Sequence, residues 1–380
     1  MSANWPRRKA ALSADHGLGR SLAGMITADL DQELAIAARA VLPASAAQLT
    51  PRGTWQPVPD GDPSDYATTA AFEIAGRAGL PASQIATAVA GSLRRVPWIE
   101  AATPSGGGYL TISVTHQALA ASAARMAEAG PACASSSILN GTATTIRPWP
   151  DLAAARSWQH AWQLQADAMT SHLAQAAGAA PADFSGRERA STDARPASTT
   201  RSGVGDAVAY FGSDSVRYRL ARTMSGDRRR PASLGAASAR PASPPMADPL
   251  YPVRQAHAAA ASALRWAADL GLEPAGLTGA LGRQLSSPVE GALLGLLSYL
   301  PVRVAAAARR SRPDELPRYL EQVSAAWLLC RLHAPALPFG GRAAPRDFDQ
   351  TGARLMLARA VAAVIAGGLA LTGVAAPDRL

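Results

Sequence analysis

Apolar positions along this chain follow two rhythms, one helical over most of its length and one of period two in a single short stretch. In MITADLDQELAIAARAVLP, starting at Met25, the residues Leu30, Leu34, Ile36, Ala37 and Val41 set out a rough helical face. A loop rich in Pro, Gly and Asp follows, and then two helical stretches, YATTAAFEIAGRAG and PASQIATAVAGSL. Gly79 and Pro81 separate them in the manner of a C-cap and a new N-terminus. VPWIEAATPSGGGYLTISVTH reads as two strands around a glycine-rich turn. Tyr109, Thr111 and Ser113 alternate there with Leu110, Ile112 and Val114, which puts the aliphatic groups on one face and the polar groups on the other. A helix from about Gln117 to Ala129 closes this unit.

Farther on, Trp158, Trp162, Met169 and Leu173 recur at helical spacing within residues 151–178. Residues 181–245 are rich in Pro, Ser, Arg and Gly around one island, VGDAVAYFGSDSVRYRLARTM, and their flanks hold too few large apolar groups to order themselves. From Asp248 onward the pattern is helical, broken at Gly and Pro. The expected architecture is an extension over 1–24, an α+β module over 25–130, a degenerate and partly disordered α/β centre over 131–245, and an all-α bundle over 246–380.

Between Arg359 and Asp378 lie 18 residues without a charge. A membrane helix needs roughly twenty apolar residues, so length alone leaves a span open. LSSPVEGALLGLLSYLPVRVAAAARR and PRYLEQVSAAWLLCRLHAPAL supply amphipathic partners for a bundle, so a protein-buried helix and no membrane are expected. Residues 1–24 lack a continuous apolar core, which argues against a secretory signal and for the cytoplasm.

Charge narrows the chemistry. The net charge is +9, and Lys9 is the only lysine, a bias that GC-rich coding also explains. No lysine is therefore available beyond the N-terminal tail for a phosphate loop, a Schiff base or an adenylate site. Residues 181–245 carry 11 basic and 6 acidic groups and residues 246–380 carry 14 and 10, so the positive excess lies where a polyanion would meet the second half. Two cysteines, Cys133 and Cys330, give neither a disulfide framework nor a cysteine zinc site, and no metal or cofactor is expected.

Three stretches resemble the arginyl-tRNA synthetase family, in that family's order. SDYATTAAFEIAGRAGLPASQIATAVAGSL followed by GGGYLTISV is similar to the family's additional N-terminal domain, with its D-Y-A-S-N helix and G-F-I-N-F strand. GSDSVRYRLAR resembles the helix after the signature loop, and DPLYPVRQAHAAAASALRWA through GVAAPDRL is similar to the DALR-type anticodon-binding bundle. Such a domain set also resembles actinobacterial synthetase-related anticodon-binding proteins. The resemblance implies tRNA, including arginine tRNA, as partner, a full-length synthetase as a second one, and arginine–tRNA ligase as the nominal family activity.

That activity needs a His-x-Gly-His signature and a lysine-bearing loop, whose imidazole and ammonium groups stabilise charge developing on ATP phosphates. The histidines are His16, His116, His160, His172, His257 and His333, and no two are three apart. ASTTRSG at 197–203 reads either as a worn form of the K-M-S-T-R-S-G loop, with Ala197 in place of the lysine and Arg201 and Gly203 retained, or as a chance match in a Ser/Thr/Arg linker. No catalytic residue is expected.

For RNA the resemblance points to Tyr109 and Thr111 on the polar strand face, where the tyrosine reads equally as a base-stacking group or a cross-strand packing one. The family's Y-Y-V-Q-Y-A-H-A-R helix reads Tyr251, Pro252, Val253, Arg254, Gln255, Ala256, His257, Ala258 and Ala259 here, so its anticodon-reading tyrosine and arginine become Gln255 and Ala259. The family's terminal methionine becomes Leu380, and the resemblance leaves Tyr251, Arg254, Gln255, His257 and Leu380 as candidate RNA contacts. Arg254, Arg265, Arg354 and Arg379 are candidate phosphate contacts, with a solvated surface or an intradomain ion pair as the alternative, and Arg228, Arg229 and Arg230 form the densest basic cluster. An interaction scaffold that has lost RNA binding is the rival expectation.

Overall fold

The computed structural model describes residues 26–41, 55–58, 65–182, 203–223, 248–337 and 345–380. The expected extension over 1–24 and the cluster Arg228–Arg230 lie outside the described residues. α1 (Ile26–Val41) leads into β1 (Trp55–Pro57), β2 (Tyr66–Thr68), α2 (Ala70–Ala78), α3 (Ala82–Leu93), β3 (Ile99–Ser105), β4 (Tyr109–Val114) and α4 (His116–Ala129). The strands form one antiparallel sheet in the order β1-β2-β4-β3.

Along α1 the stripe Leu30, Leu34, Ala37 is buried, but Ile36 is 49% exposed. Ile36 lies two residues beyond Leu34, about 200° round the helix, and so leaves the stripe the sequence pattern gave it. The helix expected to start at Tyr66 starts at Ala70 instead. Tyr66 and Thr68 point inward from a short strand whose Ala67 opposes Thr111 of β4, and tertiary pairing overrides the local pattern. The break between α2 and α3 falls as expected, with Gly79 left-handed at φ 67° and Pro81 as the next N-cap.

The middle of the chain holds β5 (Ala143–Thr144), α5 (Trp158–Ala176) and β6 (Ala180–Pro181), a parallel pair joined through a crossover helix. α6 (Gly203–Phe211) and α7 (Ser213–Arg222) pack near it, and Leu152, Met169, Val204, Val216 and Leu220 make a small core of their own.

α8 (Leu250–Asp269), α9 (Leu281–Gln284), α10 (Pro288–Ser298), α11 (Leu300–Arg309), α12 (Glu315–His333) and α13 (Pro345–Ala370) form the C-terminal bundle. Two helical stretches, Pro288–Arg309 and Phe348–Ala370, are long and apolar enough to cross a membrane, yet 67% and 72% of their apolar windows are buried inside the protein. In α13, Gly367 and Gly368 permit close approach. A Cβ at Gly367 would sit 2.5 Å from the Pro131 carbonyl oxygen, and one at Gly368 2.5 Å from Leu320.

One continuous apolar core runs from Ile26 through the sheet and α4 into the bundle. Tyr66 crosses this seam, donating its hydroxyl to Ser298 Oγ at 2.6 Å while its ring meets Tyr299 edge-on at 5.3 Å.

Candidate functional site

On β4 the alternation places Leu110, Ile112 and Val114 in the core and leaves Tyr109, Thr111 and Ser113 on the outer face. Gly106, Gly107 and Gly108 all have positive φ and turn the chain immediately before Tyr109. The Tyr109 ring is 47% exposed and meets Phe72 of α2, itself 40% exposed, at 5.1 Å and 72°. Thr111 Oγ1 donates to the Thr103 carbonyl at 3.4 Å. This face therefore offers an aromatic pair beside hydroxyl groups.

α8 presents two further surfaces. On one side, three of the candidate RNA contacts hold the chain's own C-terminal tail. Arg254 pairs with Asp214 of α7 and donates Nε to the Ala375 carbonyl at 3.2 Å. His257, only 5% exposed, donates Nδ1–H to the Pro377 carbonyl at 3.0 Å, which fixes the tautomer because a carbonyl only accepts. Arg265 donates to the Asp378 carbonyl at 3.0 Å. Gln165, fully buried on α5, anchors the start of the same tail by donating to the Thr372 carbonyl at 2.9 Å.

On the opposite side of α8, Gln255, Ala259, Ser262, Ala263, Trp266 and Leu270 follow one another at helical spacing. All but Gln255 line a groove of about 520 Å³ whose other wall is Trp327 and Arg331 of α12 with residues 335–337. Trp266 is 61% exposed and Leu270 55%. Trp327 is buried, and its indole N–H has no acceptor among the described residues. This groove escaped the sequence reading because Ala recurs on every side of α8. The spacing of Ala259, Ala263, Trp266 and Leu270 was the signal that could have found it.

Of the other candidates, Arg354 donates Nε to the fully buried Glu290 at 2.7 Å and Nη1 to the Pro335 carbonyl at 3.2 Å. Tyr251 is half-buried in the first turn of α8, while Arg379 and Leu380 are exposed at the chain's end. Gly203 opens α6, and Ala197 and Arg201 lie outside the described residues. The two cysteines are buried, and burial pushes the Cys133 thiol up to about 12 and the Cys330 thiol to about 11, so neither is poised as a nucleophile. Among the described residues no three His, Cys, Asp or Glu side chains converge as a metal site.

Two family models match: the arginyl tRNA synthetase N terminal domain over residues 26–114, which takes in the sheet and Tyr109, and the DALR anticodon binding domain over 253–380, which takes in the groove and the tail. The chain belongs to the arginyl-tRNA synthetase family. The arginine–tRNA ligase of Micrococcus luteus is 34% identical over 179 residues, 46% of this chain and 30% of that protein. That of Nitratidesulfovibrio vulgaris is 39% identical over 136 residues, 36% of this chain and 24% of that protein. The matched part thus spans under a third of these relatives' length. The arginyl-tRNA synthetase structure from Thermus thermophilus is 14% identical, with a TM-score of 0.47 over 94% of this chain and 100% of that one. Within this arginyl-tRNA synthetase family member, Gln255 and Ala259, where the resemblance expects anticodon-reading residues, stand on the groove side of α8, and the cationic side of that helix faces inward to the tail.

Proposed function

We propose that this chain is a non-catalytic relative of arginyl-tRNA synthetase that binds tRNA, or an RNA of similar shape, in the cytoplasm. In this reading residues 25–130 are the additional N-terminal domain, 131–245 a shortened remnant of the catalytic domain, and 246–380 the anticodon-binding-type bundle. The observation that carries it is the exposed pair of Tyr109 with Phe72 of α2, in which Tyr109 shares the outer face of β4 with Thr111 and Ser113. A base splayed from a loop can stack there, a contact worth about 1 to 3 kcal/mol. The arginine excess of the second half supplies the salt-sensitive part of the affinity.

Catalysis is left out because adenylate formation lacks its charge-stabilising groups: no two histidines are three apart, and Lys9 is the only lysine. ATP–pyrophosphate exchange by the purified chain above background would overturn that exclusion. The RNA reading is tested by measuring binding to a panel of individual tRNAs at two salt concentrations, with Tyr109→Ala alongside. The variant should bind roughly 5- to 150-fold more weakly. Equal binding by variant and parent, or binding to every tRNA alike that vanishes with salt, sinks it.

A scaffold that docks a full-length synthetase or another enzyme is the second reading. Its support is that Arg254, His257 and Arg265, three of the expected RNA contacts, are engaged with the chain's own tail. Co-purification that survives nuclease treatment favours it.

A further inference from the structure

We propose that the groove between α8 and α12 is a self-association surface, occupied by a second copy of this chain across a two-fold axis. The groove has an apolar floor, small walls at Ala259 and Ala263, and about 520 Å³ of space, enough for an indole ring. Trp266 stands at its lip with 61% of its surface exposed, and Leu270 extends the same ridge one turn on. A knob and a hole of matching character therefore lie side by side on one molecule, the arrangement an isologous contact requires, because each copy must offer both.

Charge selects the occupant. Asp269 stands on the α8 wall and Arg331 on the α12 wall, and among the described residues neither belongs to an ion pair. An RNA strand would bring a row of phosphates to a lining that holds one cation and one anion, which gives it little net attraction. A second copy brings an aromatic knob flanked by one cation and one anion. Rotation about the axis seats Trp266 of each copy in the groove of the other and sets Asp269 against the second copy's Arg331, twice over.

The test is the mass of the full chain in solution, by sedimentation velocity and light scattering over a wide concentration range. The expected result is a concentration-dependent species of about twice 39.1 kDa. Trp266→Ala should weaken it tenfold or more, and Arg331→Asp and Asp269→Arg should each be monomeric through like-charge contacts. Mixing those two charge variants restores opposite charges at both contacts and should restore the dimer. All three positions are exposed, so loss of folding does not explain a loss of mass, and helical circular dichroism verifies this. A single 39.1 kDa species at every concentration overturns the proposal. So does a dimer indifferent to the three substitutions, or a monomer whose affinity for tRNA falls with Trp266→Ala. Tyr109→Ala lies on the far sheet face and should leave the mass unchanged, so failure of the RNA reading and failure of this one are read separately.

Discussion

Glu290 shows how a single residue's surroundings decide its role. Its carboxylate is fully buried, closes a capping box with Ser287, and takes a 2.7 Å hydrogen bond from Arg354. Read as sequence, Arg354 is a candidate phosphate contact; in the fold it neutralises a charge that could not otherwise stay buried. Arg354→Met should therefore cost about 3 to 5 kcal/mol, because an unpaired carboxylate remains inside, whereas Ser287→Ala should cost only about 1 kcal/mol. Urea unfolding midpoints check both, and a neutral Arg354→Met would show that the pair holds nothing together. Tyr109 was legible at this scale because its neighbours alternate along the strand. The partner of Arg354 was not, since nothing local relates it to a residue 64 positions earlier.

At the level of elements, α8 has three working faces where the sequence shows one alanine-rich run. Core residues Val253, Ala256 and Ala260 define one, the groove a second, and the tail-binding residues the third. Arg254 separates two accounts of that third face. If it met phosphate, Arg254→Met would lower the slope of RNA affinity against salt by about one ion. The ion pair with Asp214 predicts instead a loss of about 1.5 to 3 kcal/mol in stability with the salt slope unchanged. Measuring both on one variant decides between them. The strand at Tyr66–Thr68 was illegible for a related reason: three residues carry too short an alternation to compete with the helix that follows, and only pairing with β1 and β4 makes them a strand.

Over the whole molecule, the seam between the N-terminal sheet and the bundle is closed by hydrogen bonds as well as apolar contact. Besides the Tyr66–Ser298 bond, Tyr299 donates its hydroxyl to the Asp65 carbonyl at 2.8 Å. Gln117 of α4 donates to the Thr278 carbonyl at 2.9 Å and accepts from the Gly282 N–H at 2.7 Å. With a core continuous across the seam, the two ends should unfold as one unit. Tyr66→Phe removes one buried hydroxyl and should lower stability by about 0.5 to 1.5 kcal/mol while leaving a single transition. Helical circular dichroism and tryptophan fluorescence should report coincident curves; curves that separate would mean the seam is a loose domain contact.

The sequence by itself determined what depends on near neighbours and on composition. Alternation at 109–114 set the two faces of β4, and Gly79 with Pro81 set the break between two helices. Tertiary structure alone decided what Arg254, His257 and Arg265 are bonded to, because their carbonyl partners lie 113 to 121 residues away in the tail. It also decided that the uncharged stretch of α13 is buried by protein, and that alanines harmless in sequence open a groove beside Trp266. Contacts between distant segments depend on how faces meet after folding, and a linear pattern fixes each face without fixing its partner.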